Sequence, residues 1–272
     1  MTDEPSEPGN GLEWFGKELE EALKHSGKTG VALAEFTGYK PPYVSKVKNG
    51  QAMPSPEFAR GCDRFFNTSG YFTRLLAKIS QHGHPEWFVP YLNLEKVATS
   101  ITDYSNAFIM GMLQTPEYAE AAFRSTYPRE SDNKIRSRVV ARSQRHNVMD
   151  RTSPPLLWVI LHESVLRTVV GARGVMREQC EHLLAEAVTP HITVQVLPFR
   201  AGAPASSHPF TLLKQEDGRV ILYSETRELG QVSDSVAGVA SAQAAYERLR
   251  AAALSPDDSL TLIRQIAKDY TT

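Results

Sequence analysis

Val31-Ala-Leu-Ala-Glu-Phe-Thr-Gly38-Tyr-Lys-Pro-Pro-Tyr-Val-Ser45-Lys-Val-Lys-Asn-Gly50 is the stretch on which the reading of this chain turns. Its spacing predicts a helix-turn-helix. Leu33 and Ala34 close the first helix onto its partner, and Ala34 is small because the second helix crosses there. Gly38 falls where the chain must turn sharply, and a residue without Cβ takes φ > 0 at no steric cost. Val44 and Val47 recur at a spacing of three, as the buried stripe of a second helix should. Asn49-Gly50 ends that helix. Each offset alone is weak; together they outweigh a chance helical hairpin.

At 272 residues the chain has room for two domains. No apolar run approaches the ~20 residues of a membrane span, so none is expected. Residues 1–10 hold Asp3, Glu4 and Glu7 with no Lys or Arg. They read as an acidic, disordered tail rather than a signal peptide. Cys62 and Cys180 are too few for a disulfide scaffold or a cysteine zinc site, which points to a cytoplasmic protein with no metal or cofactor. Net charge is −1, so the protein is not coated in positive charge for nucleic acid. Residues 11–70 carry eight Lys and Arg against seven Asp and Glu. The N-terminal domain is therefore barely basic, and any nucleic-acid contact rests on the local placement of Lys40, Lys46 and Lys48.

Around the helix-turn-helix, the periodicity predicts four or five helices over residues 11–82. Phe15, Leu19, Ala22 and Leu23 form one amphipathic stripe, and Ser55-Pro56-Glu57 is a helix start with Ser as cap. Phe58, Cys62, Phe65 and Phe66 follow as a second stripe, and Tyr71, Leu75 and Ile79 as a third. Leu19, Leu33-Ala34, Gly38, Ser45, Val47, Gly50 and Pro54 together resemble the DNA-binding domain of the Xre family of bacterial regulators. The resemblance implies that the helix at about Pro41 to Lys48 enters the major groove of double-stranded DNA. Carried over by position, Lys40, Pro41, Pro42, Ser45, Lys46, Lys48 and Asn49 are the DNA-binding set. Two departures stand out. Gly30 occupies a place where the family often has Gln, and Pro41-Pro42 replace polar side chains, leaving only apolar contact with thymine methyls. A degenerate domain that binds a protein instead of DNA is the competing reading.

His82-Gly-His84-Pro85 breaks the helical pattern and sets the expected boundary, giving a C-terminal domain over residues 83–272. Its two histidines read as linker, since no cluster at ligand spacing follows. Beyond it, helices alternate with short apolar strands. Leu156 to Leu161 reads as a buried strand, and Ile192 to Leu197 as a β-branched strand. Phe210 to Leu213 and Val220 to Tyr223 form a hairpin around Asp217-Gly218. Residues 131–151 read as one long helix, Val175 to Ala187 as another, and two helices close the chain. The fold class expected is a mainly α N-terminal domain followed by an α/β (α+β) domain with a small sheet.

Gly111-Met-Leu-Gln-Thr-Pro-Glu-Tyr-Ala119, Ala141-Arg142-Ser-Gln-Arg145, Glu163-Ser-Val-Leu-Arg167, Val196-Leu-Pro-Phe199 and the run from Ala253 to Arg264 are similar to the C-terminal domain of actinomycete WhiJ-type, antitoxin-like transcriptional regulators. That resemblance implies a DNA-binding regulator, often associated with a small partner protein from a neighbouring gene. Met110, His146 and His162 depart from its pattern, and it carries no established chemistry for this domain.

Arg138, Arg142 and Arg145 at i, i+4 and i+7, with Lys134 one turn earlier, would share one face of the long helix. That face is either solvated or a docking site for an acidic partner or ligand. His162-Glu163 stands at a strand end where an acid–base pair could be built, but no nucleophile elbow or phosphate loop accompanies it. The chain therefore reads as a sequence-specific, homodimeric DNA-binding regulator, not an enzyme, whose second domain senses a partner protein or small ligand. The alternative is a protein-interaction module with a degenerate helix-turn-helix.

Overall fold

The computed structural model describes residues 11–82, 86–226 and 229–271. The expected acidic tail and the His82–Pro85 linker, apart from the helical backbone at His82, lie outside the described residues. The chain divides into two compact units: residues 11–82 with Arg129–Ala141, and residues 86–128 with 142–271. Sequence reasoning set residues 129–141 with the second domain; in the structure they group with the first unit.

The first unit is built from helices α1 (Gly11–Ser26), α2 (Gly30–Thr37), α3 (Pro41–Lys48), α4 (Pro56–Phe66) and α5 (Tyr71–His82). Phe15, Leu19, Leu33, Ala34, Val44, Val47, Phe58, Cys62 and Phe72 are fully or almost fully buried in one core. Side-chain chemistry starts α2, α4 and α5. The Thr29 and Ser55 hydroxyls accept the backbone N–H of Ala32 and Phe58 at 3.2 and 3.0 Å, satisfying amides that have no helical partner. The first turn of α5 is held by a buried carboxylate from α4. Asp63 accepts the Phe72 and Thr73 amides at 2.8 and 3.0 Å and the Thr68 and Thr73 hydroxyls at 2.6 Å each. Sequence periodicity, which tracks apolar residues, gave no sign of this anchor.

The second unit carries six strands: β1 (Ser100–Ser105), β2 (Leu156–His162), β3 (Ile192–Leu197), β4 (Phe210–Lys214), β5 (Val220–Glu225) and β6 (Gly230–Ser233). They pair in the order β3-β2-β1-β4-β5-β6. β1, β2 and β3 are mutually parallel, whereas β1–β4, β4–β5 and β5–β6 are antiparallel. Side chains alternate across the sheet, so its two faces feed different cores. Ile101, Leu157, Val159, Leu161 and Leu213 pack with Met176 and Cys180 of α10 (Arg173–Glu186) and with Ile263 and Ile266 of α12 (Pro256–Asp269). On the other face Tyr104, Ile160, Phe210 and Leu212 pack with Tyr246 and Leu249 of α11 (Val236–Ala252). A strand covered on both faces tends to read as a continuous apolar run, as β2 does from Leu157 to Leu161.

Two details differ from the expected elements, and a third fits the hairpin expected around Asp217-Gly218. The long helix expected at 131–151 is α8 (Asp132–Ser143) followed by a 3-10 turn over Gln144–Val148. β6 and the five-residue helix α9 (Glu163–Arg167) carry too little pattern to be read from sequence. The β4–β5 hairpin closes through five residues, 215–219, with Gly218 at φ +84°.

Burial alone would raise the Asp63 carboxyl, but the hydroxyls of Thr68 and Thr73 and the amides of Phe72 and Thr73 outweigh it and hold it below the usual aspartate range. A depressed carboxyl contributes stability above its unfolded-state value, and that contribution is lost as pH falls through the folded value. Asp63→Ala is therefore expected to destabilise the first unit by about 2–3 kcal/mol near neutral pH. In urea melts the difference from wild type should shrink as pH drops below 3.8.

Candidate nucleic-acid interface

The helix-turn-helix is assembled by a left-handed turn and an aromatic clamp. Gly38 ends α2 at φ 76°, and the Tyr39 amide donates back to the Ala34 carbonyl at 3.0 Å. Lys40 then caps α3 in extended backbone, and Pro41-Pro42 fill the first helical positions, where an N–H would have no partner anyway. Val44 and Val47 turn inward. Tyr39 and Tyr43 stack at 4.7 Å, and both present their rings to the edge of Phe58 at 5.3 and 5.4 Å. The Tyr43 hydroxyl accepts the Ser55 amide at 2.9 Å and donates to the Met53 carbonyl at 3.3 Å, while the Tyr39 hydroxyl bonds the Ser55 hydroxyl. These contacts fix the roll of α3 on α4. Their only sequence signal is two tyrosines four residues apart across the turn.

With that roll set, Lys40, Pro41, Pro42, Ser45, Lys46 and Asn49 are all exposed along one side of α3 and its ends. Among the described residues no carboxylate lies within ion-pair distance of Lys40 or Lys46. Lys48 is different. It is half-buried and leans to Glu20 of α1 at 3.9 Å, so it is partly neutralised within the chain. The surface that results is a short helix carrying two unpaired cations, one hydroxyl and one amide, beside an apolar proline edge.

The arginine face expected on the long helix does not exist as such. Because α8 stops at Ser143, Arg145 leaves the stripe, and all three arginines find partners inside the chain. Arg138 grips Glu130 through two bonds of 2.7 and 2.8 Å, and Lys134 joins the same carboxylate at 3.1 Å. Arg142 lies over the Phe123 ring at 3.9 Å and donates to the Gln114 side chain at 3.0 Å. Arg145 makes a bidentate pair with Glu95 of α6 (Val89–Glu95), at 3.0 and 2.6 Å, and reaches the Tyr91 hydroxyl at 3.3 Å. The arginines offer no solvated cationic array to an acidic partner. Arg142 and Arg145 instead line a pocket in the second unit.

His162-Glu163 is structural as well. His162 Nδ1 accepts the Ser164 amide at 3.3 Å, capping α9, while Glu163 pairs with Arg167 at 2.7 Å and accepts the Phe199 amide at 2.8 Å. His162 Nδ1 and both Glu163 carboxylate oxygens thus hold the local backbone and Arg167. Among the described residues no group of three or more His, Cys, Asp or Glu side chains could hold a metal ion, and no helix is long and apolar enough to cross a membrane.

Residues 88–265, more than half of the chain, match the family described as Domain of unknown function (DUF5753). The chain belongs to that family. Residues 19–71 match the family described as Helix-turn-helix. No curated protein and no solved structure matches. In this DUF5753 protein the helix-turn-helix match begins within α1 and ends at the start of α5, so it encloses the whole α2–turn–α3 hairpin. The first unit is thus a helix-turn-helix of the Xre type, the kind used by DNA-binding transcription regulators.

The Glu95–Arg145 pair is buried on both sides, with side chains 2% and 10% exposed. Removing one partner leaves an uncompensated buried charge. Glu95→Gln is expected to cost the second unit about 3–5 kcal/mol in urea melts, and Glu95→Gln with Arg145→Met to recover a large part of that loss.

Proposed function

We propose that the chain is a sequence-specific DNA-binding transcription regulator in which α3 lies in the major groove of double-stranded DNA. The observation that supports this best is the segregation along α3. Val44 and Val47 bury the inner side, while Lys40, Ser45, Lys46 and Asn49 stand exposed and held in place by the Tyr39–Tyr43–Phe58 clamp. Lys46 is the side chain suited to guanine O6 and N7, Ser45 and Asn49 to phosphate or base edges, and Pro41-Pro42 to thymine methyl groups. Lys48 contributes less, because Glu20 competes for it.

The regulator acts as a homodimer on two half-sites about one helical turn apart, as helix-turn-helix proteins generally do. Its second unit biases DNA affinity by sensing a ligand or a small partner protein. The resemblance to WhiJ-type, antitoxin-like regulators of actinomycetes supports the partner-protein form of that control. The pocket lined by Arg142 and Arg145 supports the small-ligand form. An inert second unit would not change the DNA-binding equilibrium; a sensing one must prefer one of its two states.

Fluorescence anisotropy with DNA from the region upstream of the protein's own gene, against scrambled DNA, tests the reading. Wild type should prefer its own region, and log affinity should fall linearly with log salt. Lys46→Glu should weaken binding by about tenfold or more and flatten the salt slope, whereas Lys48→Ala should have a smaller effect. Equal, weak binding to both DNAs, unmoved by Lys46→Glu, would replace this reading with that of a protein-interaction module.

A further inference from the structure

A pocket of about 200 Å3 opens in the second unit at the carboxyl end of β1, beside the seam where the parallel and antiparallel halves of the sheet meet. Ligands of α/β sheets gather at such strand ends. Asp103, Thr211 and Tyr223 lie side by side in register on β1, β4 and β5 and supply part of its wall. Asp103 is 6% exposed. It accepts the Ser105 hydroxyl at 2.6 Å and the Thr211 hydroxyl at 2.8 Å, and no cation lies within ion-pair distance of it among the described residues. Burial, only partly offset by those hydroxyls and by the field of Arg145, pushes its carboxyl up to about 6.

Two guanidinium groups line the same small space. Arg145 commits Nε and Nη2 to Glu95 and Tyr91. Its Nη1 comes so close to Gly111 that a Cβ there would lie 2.6 Å away, and the Arg142 side chain approaches the same spot at 3.4 Å. The absence of a side chain at Gly111 leaves room for both arginines as they stand. Tyr91 and Tyr223, with ring centroids 4.2 Å apart, form an aromatic wall.

A fold selected for stability alone would close Asp103 onto one of these arginines or fill the void with apolar side chains, because a buried carboxylate without a cation is costly. Here Asp103 is closed by hydroxyls and makes no ion pair, while Arg142, Arg145 and a second carboxylate, Glu225, which accepts the Tyr223 hydroxyl at 2.6 Å, line the same open cavity. That arrangement is complementary to a molecule carrying both charges. The volume lies below the ~300–1,000 Å3 of sites for drug-sized ligands, so the occupant is small.

We propose that this pocket binds a free amino acid or a zwitterion of that class, its ammonium group on Asp103 and its carboxylate on Arg142 and Arg145. The assignment names the ligand for the sensing role proposed above, and it rests on that reading. Binding itself is independent of DNA.

The test uses the full-length protein and the twenty standard amino acids, each at 10 mM, with thermal unfolding as the first readout. At least one should raise the unfolding midpoint by about 2 °C or more. Calorimetric titration then compares that amino acid with two matched probes, the amine lacking its carboxylate and the acid lacking its amino group. Each should bind at least tenfold more weakly. Asp103→Asn and Arg142→Met should each lower the affinity of the amino acid at least tenfold. Three results would overturn the assignment: no amino acid shifts the midpoint, a single-charge probe binds as tightly as the amino acid, or Asp103→Asn binds undiminished. The first of these uses wild type alone and does not depend on a variant folding. An amino acid that binds as expected but leaves DNA affinity unchanged upholds the pocket and removes the sensing role. A change in DNA affinity caused by some other effector, with every amino acid inert, does the reverse.

Discussion

The second unit depends on one buried ion pair. Glu95 and Arg145 meet through two hydrogen bonds with almost no access to water, and the Tyr91 hydroxyl donates to Glu95 at 2.6 Å while accepting from Arg145. Desolvating two charges is expensive, and attraction repays it only when geometry is good and the spare donors and acceptors are used. Here they are. The pair fastens the 3-10 turn after α8 to the end of α6, five residues before β1 begins. It thereby sets Arg145, Tyr91 and the turn at Gly111 around the end of β1. The pocket is a by-product of this arrangement only in the sense that the charges had to be seated before a cavity could be left between them.

That pair also shows why the sequence misleads at this point. Arg138, Arg142 and Arg145 follow helical spacing, and a stripe of cations invites the thought of an acidic partner. The spacing is genuine for Arg138 and Arg142, but the helix ends between Arg142 and Arg145. A 3-10 turn advances about 120° per residue instead of 100°, so residues beyond the end swing off the stripe. The acids that neutralise the arginines, Glu130 and Glu95, lie eight and fifty residues away along the chain. Pairing over such separations leaves no trace in local periodicity. Asp103 is hidden for the same reason, since its hydroxyl partner Thr211 is 108 residues distant.

What was legible is what local rules control. The helix-turn-helix could be read because Leu33, Ala34, Gly38, Val44 and Val47 obey a fixed set of offsets, and the structure places the four apolar ones in the core and Gly38 in the left-handed turn. The Ser55 helix start was legible because a hydroxyl followed by proline satisfies orphan amides, a device that recurs at Thr115 and Ser255. The apolar strands were legible from burial on both faces. Sheet order was not, because nothing local in β1 marks that it pairs in parallel with β2 on one side and antiparallel with β4 on the other. Nor was the tyrosine clamp, which needs the third dimension to bring Ser55 onto Tyr39 and Tyr43.

The electrostatics of α3 set how strong the proposed regulator can be. Phosphate neutralisation supplies most of non-specific affinity, with a salt slope of about −0.9 per phosphate contacted. One copy of α3 offers Lys40 and Lys46 freely, and Lys48 only in competition with Glu20. Two or three phosphates per copy make a weak complex at physiological salt, and the two prolines add no donors to compensate. A second copy on a second half-site doubles the contacts while the entropic cost of docking is met once for the assembly. On this reading, specific binding rests on joint engagement of two copies, and an effector need not abolish the contacts of either. A coupling of 1–3 kcal/mol, the usual allosteric range, changes affinity by about 5- to 150-fold. For a complex that starts near the edge of stability, that is sufficient to move it between bound and free.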